Sequence, residues 1–133
     1  AVSAFLERVG VSQAGWGLKD GSGLSHTNIV TPRGLASLLV AMDRHAHREA
    51  FRASLAVAGR DGTLEERMQT TAAEARVVAK SGGLQAVDAL AGYVTTERGE
   101  PLAFAVFVNN HVDVGHASLT AIDDIAIALA TAR

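Results

Sequence analysis

Cysteine is absent from the 133 residues, which excludes disulfides, thiolate chemistry and Cys-based zinc sites and leaves the compartment open. Lysine is scarce, with only Lys19 and Lys80 set against ten arginines. Neither charge sign dominates. The 12 basic and 14 acidic side chains leave a net charge of −2, which gives no basic surface for nucleic acid. No apolar run reaches the roughly 18 residues of a bilayer crossing, so no membrane span is expected. Internal repeats and low-complexity tracts are also missing. What remains is an ordinary globular composition, 48% hydrophobic and 20% charged, in a chain long enough for one domain with a real core.

The chain starts at Ala1 with no initiator Met and no signal peptide. Residues 1–10 read as a helix already under way, with Val2, Phe5, Leu6 and Val9 on one face and Gly10 as a stop. A start inside a helix is expected of a piece of a longer polypeptide. Residues 19–28 carry Asp-Gly, Ser-Gly and small polar residues, so they read as a turn-rich loop. Thr31-Pro32 is a helix start, with Thr31 as N-cap. Leu35, Leu38, Leu39 and Met42 then fall at helical spacing and predict a helix over 32–44. A second short helix is expected over 45–56, with Phe51 and Leu55 four apart. Gly59-Arg60-Asp61-Gly62-Thr63 is a turn, and Thr63-Leu64-Glu65-Glu66 is a weak capping box opening a short helix to about Met68.

From Arg76 the period changes. Residues 76–82, 87–97 and 102–109 are strand candidates, and Glu97–Pro101 supplies a hairpin connection. A three-stranded antiparallel meander over 76–109 is the simplest topology. After a polar loop, Ser118 opens an amphipathic helix over 118–133 with Leu119, Ile122, Ile125, Ala126 and Leu129 on one stripe. Helices, then antiparallel strands, then a closing helix make the fold class α+β. The strands are too apolar for an open face. Either helices cover both sides, or further strands and helices are missing.

Several pairings offer chemistry and lack its geometry. His45 and His47, two apart on a helix, diverge by about 200° and cannot share a metal. His111 and His116 flank Asp113 in a loop with nothing to fix them, and read as solvated histidines. Asp20, Ser22, Ser25 and His26 are too close in sequence for a triad, and Gly21-Ser22-Gly23 is a tight turn, not a nucleophile elbow. The neighbours Glu65/Glu66 and Asp123/Asp124 do not face each other. Asp123 and Asp124, in the first turns of the last helix, suit its positive end. No metal and no cofactor is expected.

Val77-Val78-Ala79-Lys80-Ser81-Gly82-Gly83-Leu84 is the most informative stretch. It puts a lysine where a strand should enter a core, and lysine is almost never buried without a partner. Lys-[Thr/Ser]-Gly at the end of an edge strand is the third motif of the penicillin-recognising serine enzymes. More matches than this triplet. Asp20-Gly21-Ser22-Gly23-Leu24-Ser25, Asn28 and Thr31-Pro32 resemble one stretch of a penicillin-binding protein family, the D-alanyl-D-alanine carboxypeptidase/endopeptidases of low molecular mass. Gly59, Asp61-Gly62-Thr63-Leu64 and Arg67 are similar to the same family's next block. Ala79-Lys80-Ser81-Gly82, Leu84 and Leu90–Thr96 resemble its third-motif strand and the strand after it. The resemblance runs in consistent order over residues 16–109.

It implies a penicillin-binding transpeptidase-like, β-lactamase-like fold of which residues 1–133 are the C-terminal portion. It implies peptidoglycan stem peptides as substrates, β-lactams as acylating agents and an extracytoplasmic setting, periplasm or cell wall. Lys80, Ser81 and Gly82 are then the catalytic motif, with Ser81 and Gly83 binding substrate and oxyanion. Lys80 supplies positive charge beside the nucleophile and the substrate carboxylate. Ser81 donates to that carboxylate, the glycine clears the edge for an added substrate strand, and the Gly83 N–H serves the oxyanion hole. Ser81 stands for the commoner threonine, and Gly83 for the usual Thr or Ser. The family's Ser-x-x-Lys is absent, since Trp16 and Val77 precede the lysines by three. Ser-x-Asn is absent too, since His26, Phe107 and Val108 stand two before the asparagines. Nucleophile and base are therefore expected from the remainder of the polypeptide, and this chain alone is expected to be inactive. The competing readings are a non-catalytic remnant or interaction domain, and an unrelated α+β binding domain. One further expectation follows: the 77–83 strand lies at a sheet edge.

Overall fold

The apolar run Val87–Thr95 (β3) is the strand against which the others assemble. In the computed structural model, which describes residues 1–112 and 116–133, β3 pairs on one side with Val77–Leu84 (β2) and on the other with Pro101–Asn109 (β4). Both pairings are antiparallel, as the meander requires. The β3–β4 turn is the expected one: Gly99 takes φ +81°, and Thr96 N–H donates to Glu100 O at 2.9 Å.

The sheet has four strands rather than three. Ala56–Val57 (β1) pairs antiparallel with β2, Ala56 opposite Ala79 and Val57 opposite Val78. Two residues are too few to show a period in sequence. Asp61 accepts from Val57 N–H at 2.7 Å. This pairing also shortens the helix expected over 45–56, which is Arg48–Ala53 (α3). The residues before it form a turn, in which His47 N–H donates to His45 Nδ1 at 3.2 Å.

Helices pack on both faces of the described sheet. On one face, Val77, Ala79, Leu90, Val94 and Phe104 pack against Ala117–Ala130 (α4) through Ile122, Ala126 and Ala130. The buried stripe of α4 is Ser118, Ile122, Ala126 and Ala130. It is rotated from the predicted one, and Ile125 is exposed. Alanines carry this contact because a helix axis can approach a sheet closely only over small side chains. On the other face, Ala91 and Tyr93 pack under Leu35 and Leu39 of Pro32–Asp43 (α2) and Phe51 of α3. Thr31 caps α2 as expected, accepting from Gly34 N–H at 3.1 Å. Val2–Arg8 (α1) precedes these, with Leu6 buried.

Two polar ties hold the layers. Tyr93 Oη donates to Leu39 O at 2.7 Å, and the Arg52 guanidinium lies 4.0 Å from its ring centroid. Burial pushes the Tyr93 phenol above its usual 10.0, with the nearby Arg52 charge opposing. Arg67 grips Asp123 through Nη2 at 2.6 Å and Nε at 3.1 Å. Asp123 therefore sits beyond the first turn of α4 and answers a partner, not the helix end.

Candidate functional site

The strand β2 changes character halfway along. Val77 and Ala79 are fully buried, and β1 flanks Val78 and Ala79. Past Ala79, β1 has ended, and no described strand pairs with Lys80–Leu84 on that side. The expected edge is thus real only for the second half. Val77 O accepts from Ala58 N–H on the β1 side, and Arg76 O accepts from Thr95 N–H on the β3 side. Strand alternation then turns the peptide groups of Ser81 and Gly83 outward to the open edge.

Lys80 is not in the core; its side chain is exposed. It leaves the sheet on the α2 face, opposite to Val77 and Ala79, and its Nζ donates to the outward Ser81 carbonyl at 2.6 Å. Ser81 leaves from the α4 face and donates through Oγ to Thr63 Oγ1 at 2.8 Å. A cation and a hydroxyl therefore reach the same edge from its two sides. Gly82 and Gly83 are exposed, and the packing does not demand glycine at either. A Cβ at Gly82 would meet Ala89 Cβ at 3.6 Å, and one at Gly83 would meet Asp88 Oδ1 at 3.5 Å, both ordinary contacts. What these glycines leave is a bare, accessible backbone edge.

Beside them opens a cavity of about 450 Å³. Its floor is Gly82, Leu84, Val87, Ala89 and Phe107, and its rim is the loop 23–30 with Ser25, His26 and Asn28. That loop holds its own shape. Ser22 donates to Asp20 Oδ1 from N–H at 3.0 Å and from Oγ at 2.8 Å, and Lys19 N–H donates to Asn28 Oδ1 at 2.7 Å. The Ser22 bonds, hydroxyl first, hold the Asp20 carboxyl below its usual 3.8. The partner of Ser22 is its own loop's carboxylate and that of Ser81 is another hydroxyl. Neither is set up as a Ser–His or Ser–Lys nucleophile.

The histidines divide. His45 and His47 sit in the α2–α3 turn, not on one helix, and their ring centroids are 5.3 Å apart. His111 Nε2 lies 3.1 Å from Asp88 Oδ2, which also accepts from Ser118 Oγ at 2.5 Å. Neither ring nitrogen of His111 completes a hydrogen bond among the described residues. Asp113, which His111 and His116 flank, lies outside the described residues. Among the described residues, no three His, Asp or Glu side chains converge as a metal site would need. No described helix is long and apolar enough to cross a membrane.

The sequence assigns no site role to Thr63, to Leu84 or to the cavity rim of Ser25 and His26, which the fold brings to the edge. The capping box at Thr63 predicts a helix start there. The segment forms only a 3₁₀ turn, Gly62–Leu64, with no side-chain cap bond, and the Thr63 hydroxyl serves Ser81 instead.

Known proteins resemble the chain in sequence and fold. A family model described as D-Ala-D-Ala carboxypeptidase 3 (S13) matches residues 1–132. The D-alanyl-D-alanine carboxypeptidase of Actinomadura sp. (strain R39) is 43% identical over 134 residues, which cover 97% of this chain and 24% of that protein. The D-alanyl-D-alanine carboxypeptidase DacB of Haemophilus influenzae is 34% identical over 113 residues, covering 84% of this chain and 24% of the relative. The crystal structure of penicillin binding protein 4 from H. influenzae superposes with a TM-score of 0.87 at 30% identity, over 98% of this chain and 31% of that one. A class A β-lactamase from Bacteroides cellulosilyticus shares the fold, with a TM-score of 0.63 at 21% identity over 96% of this chain and 52% of that one. The chain thus spans about a quarter of the length of these curated relatives.

Proposed function

The chain belongs to the D-Ala-D-Ala carboxypeptidase 3 (S13) family, and on that footing we propose that it is the C-terminal portion of a serine-type D-Ala-D-Ala carboxypeptidase/endopeptidase acting on peptidoglycan stem peptides outside the cytoplasm. The observation that carries this reading is the open second half of β2. It offers outward peptide groups at Ser81 and Gly83, a cation at Lys80 and a hydroxyl at Ser81 along one accessible edge.

An extended stem peptide pairs with this edge as an added strand, and the adjacent cavity takes one of its side chains. The Ser81 hydroxyl donates to the terminal carboxylate. Lys80 gives up its bond to the Ser81 carbonyl and places its charge between that carboxylate and the nucleophile. A serine from the rest of the polypeptide attacks the penultimate D-Ala carbonyl, and the Gly83 N–H donates to the oxygen that gains charge. The C–N bond breaks, D-Ala leaves with a proton, and water hydrolyses the remaining ester to regenerate the serine. β-Lactams acylate the same serine.

Fluorescent penicillin tests the reading. The longer polypeptide carrying Ser-x-x-Lys should take covalent label, and the isolated 133 residues should take none. Label on the isolated chain would contradict the assignment of the nucleophile. Absence of label on the longer polypeptide would favour a non-catalytic remnant.

A further inference from the structure

The block from Gly59 to Arg67 is built as a bracket whose exposed tip is a hydroxyl. Asp61 ties its start to β1 through Val57 N–H at 2.7 Å, Leu64 is fully buried, and Arg67 grips Asp123 of α4 at 2.6 Å. Gly62, at φ +54°, makes the turn that leaves Thr63 outermost. Thr63 is exposed, and its Oγ1 meets Ser81 Oγ at 2.8 Å, 18 positions away in sequence. Nothing in the bracket's own anchoring uses that hydroxyl.

We propose that Thr63 is a positioning residue for the Ser81 hydroxyl, forming with it a two-hydroxyl relay that aims one proton at the substrate carboxylate. This rests on the function proposed above. A serine has no γ-methyl to restrict χ1, so Ser81 alone samples several rotamers and aims its proton poorly. Each hydroxyl has one proton and two acceptor sites. In the structure Ser81 gives its proton to Thr63. When a carboxylate arrives, the Ser81 O–H rotates to it, and the Thr63 O–H rotates to donate to the freed Ser81 Oγ. The oxygen–oxygen contact persists, only donor and acceptor exchange, and a serine that accepts one bond donates a stronger one.

The test is a double-mutant cycle in the longer polypeptide, read as the second-order rate of penicillin acylation. Thr63→Val should lower that rate about tenfold, the scale of a hydrogen bond that serves a charged group. Thr63→Ser should restore it to within about twofold, because the hydroxyl returns. In a Ser81→Ala background, Thr63→Val should add no further loss. Thr63→Ala serves as a second hydroxyl-free variant, with thermal melting to check that each protein is folded. Losses that simply add, or no rescue by serine, would make Thr63 a structural residue and overturn the relay. A silent Thr63→Val beside a damaging Ser81→Ala would overturn the relay alone. If Ser81→Ala itself changes nothing, the underlying assignment of the site fails.

Discussion

The two halves of β2 differ in neighbours, burial and composition, although they are one continuous strand. Val77–Ala79 is β-branched or small, lies between β1 and β3, and its buried residues share the core with α4. Lys80–Leu84 is cationic, hydroxylic and glycine-rich, pairs among the described residues only with β3, and offers its other side to whatever binds. The buried half fixes the register and position of the open half, which gains little burial of its own. A site on a strand continuous with the core is held more rigidly than one on a loop, and that suits donors that must be aimed. The contrast predicts that substitutions in the first half act on stability, and substitutions in the second half act on acylation.

Two glycines give the largest expected separation. Gly92, opposite Ala79, faces the buried half, and a Cβ there would lie 2.2 Å from Val78 O and 2.5 Å from Ala79 Cα. Gly92→Ala should therefore destabilise the fold by about 3 kcal/mol, read as a lowered urea midpoint. Gly82 lies in the open half, where an added Cβ meets only Ala89 Cβ at 3.6 Å. Gly82→Ala should change stability by no more than about 0.5 kcal/mol and still slow penicillin acylation, because the methyl occupies the substrate edge. The reverse pattern would break the comparison.

A smaller effect is expected at the bracket. The Arg67 and Asp123 side chains are 17% and 20% exposed, so removing the guanidinium strands a largely buried carboxylate. Arg67→Ala should cost about 2 kcal/mol by chemical denaturation, below the cost of breaking a fully buried pair. Lost acylation at unchanged stability would move Arg67 to the functional side of the division.

The sequence displayed most of this architecture where a pattern was long enough to register. The apolar runs around Leu90 and Phe104 and the turn at Gly99 gave the β2–β4 meander, and Thr31-Pro32 gave the start of α2. The motif Lys80-Ser81-Gly82-Gly83 marked the edge because its residue types are unusual at the end of an apolar strand. The remainder depended on tertiary packing. β1 is two residues held by Asp61, which leaves no period to read. The buried stripe of α4 runs through alanines, so hydrophobicity alone pointed to Ile125 instead. Lys80 looked buried because its neighbours are, yet alternation turns it away from the α4 core. Thr63 lies 18 positions from Ser81, and Ser25 and His26 lie farther still from β2's open half, so only the folded chain brings them to it.

Lys80→Ala in the longer polypeptide tests the division of β2 most directly, with acylation rate and thermal midpoint measured on the same sample. The Lys80 side chain is exposed and, among the described residues, bonds to the neighbouring Ser81 carbonyl, so the fold should not depend on it. The account predicts a loss of roughly a hundredfold or more in penicillin acylation with an unchanged midpoint. Unchanged acylation, or a loss that follows a lowered midpoint, would contradict it.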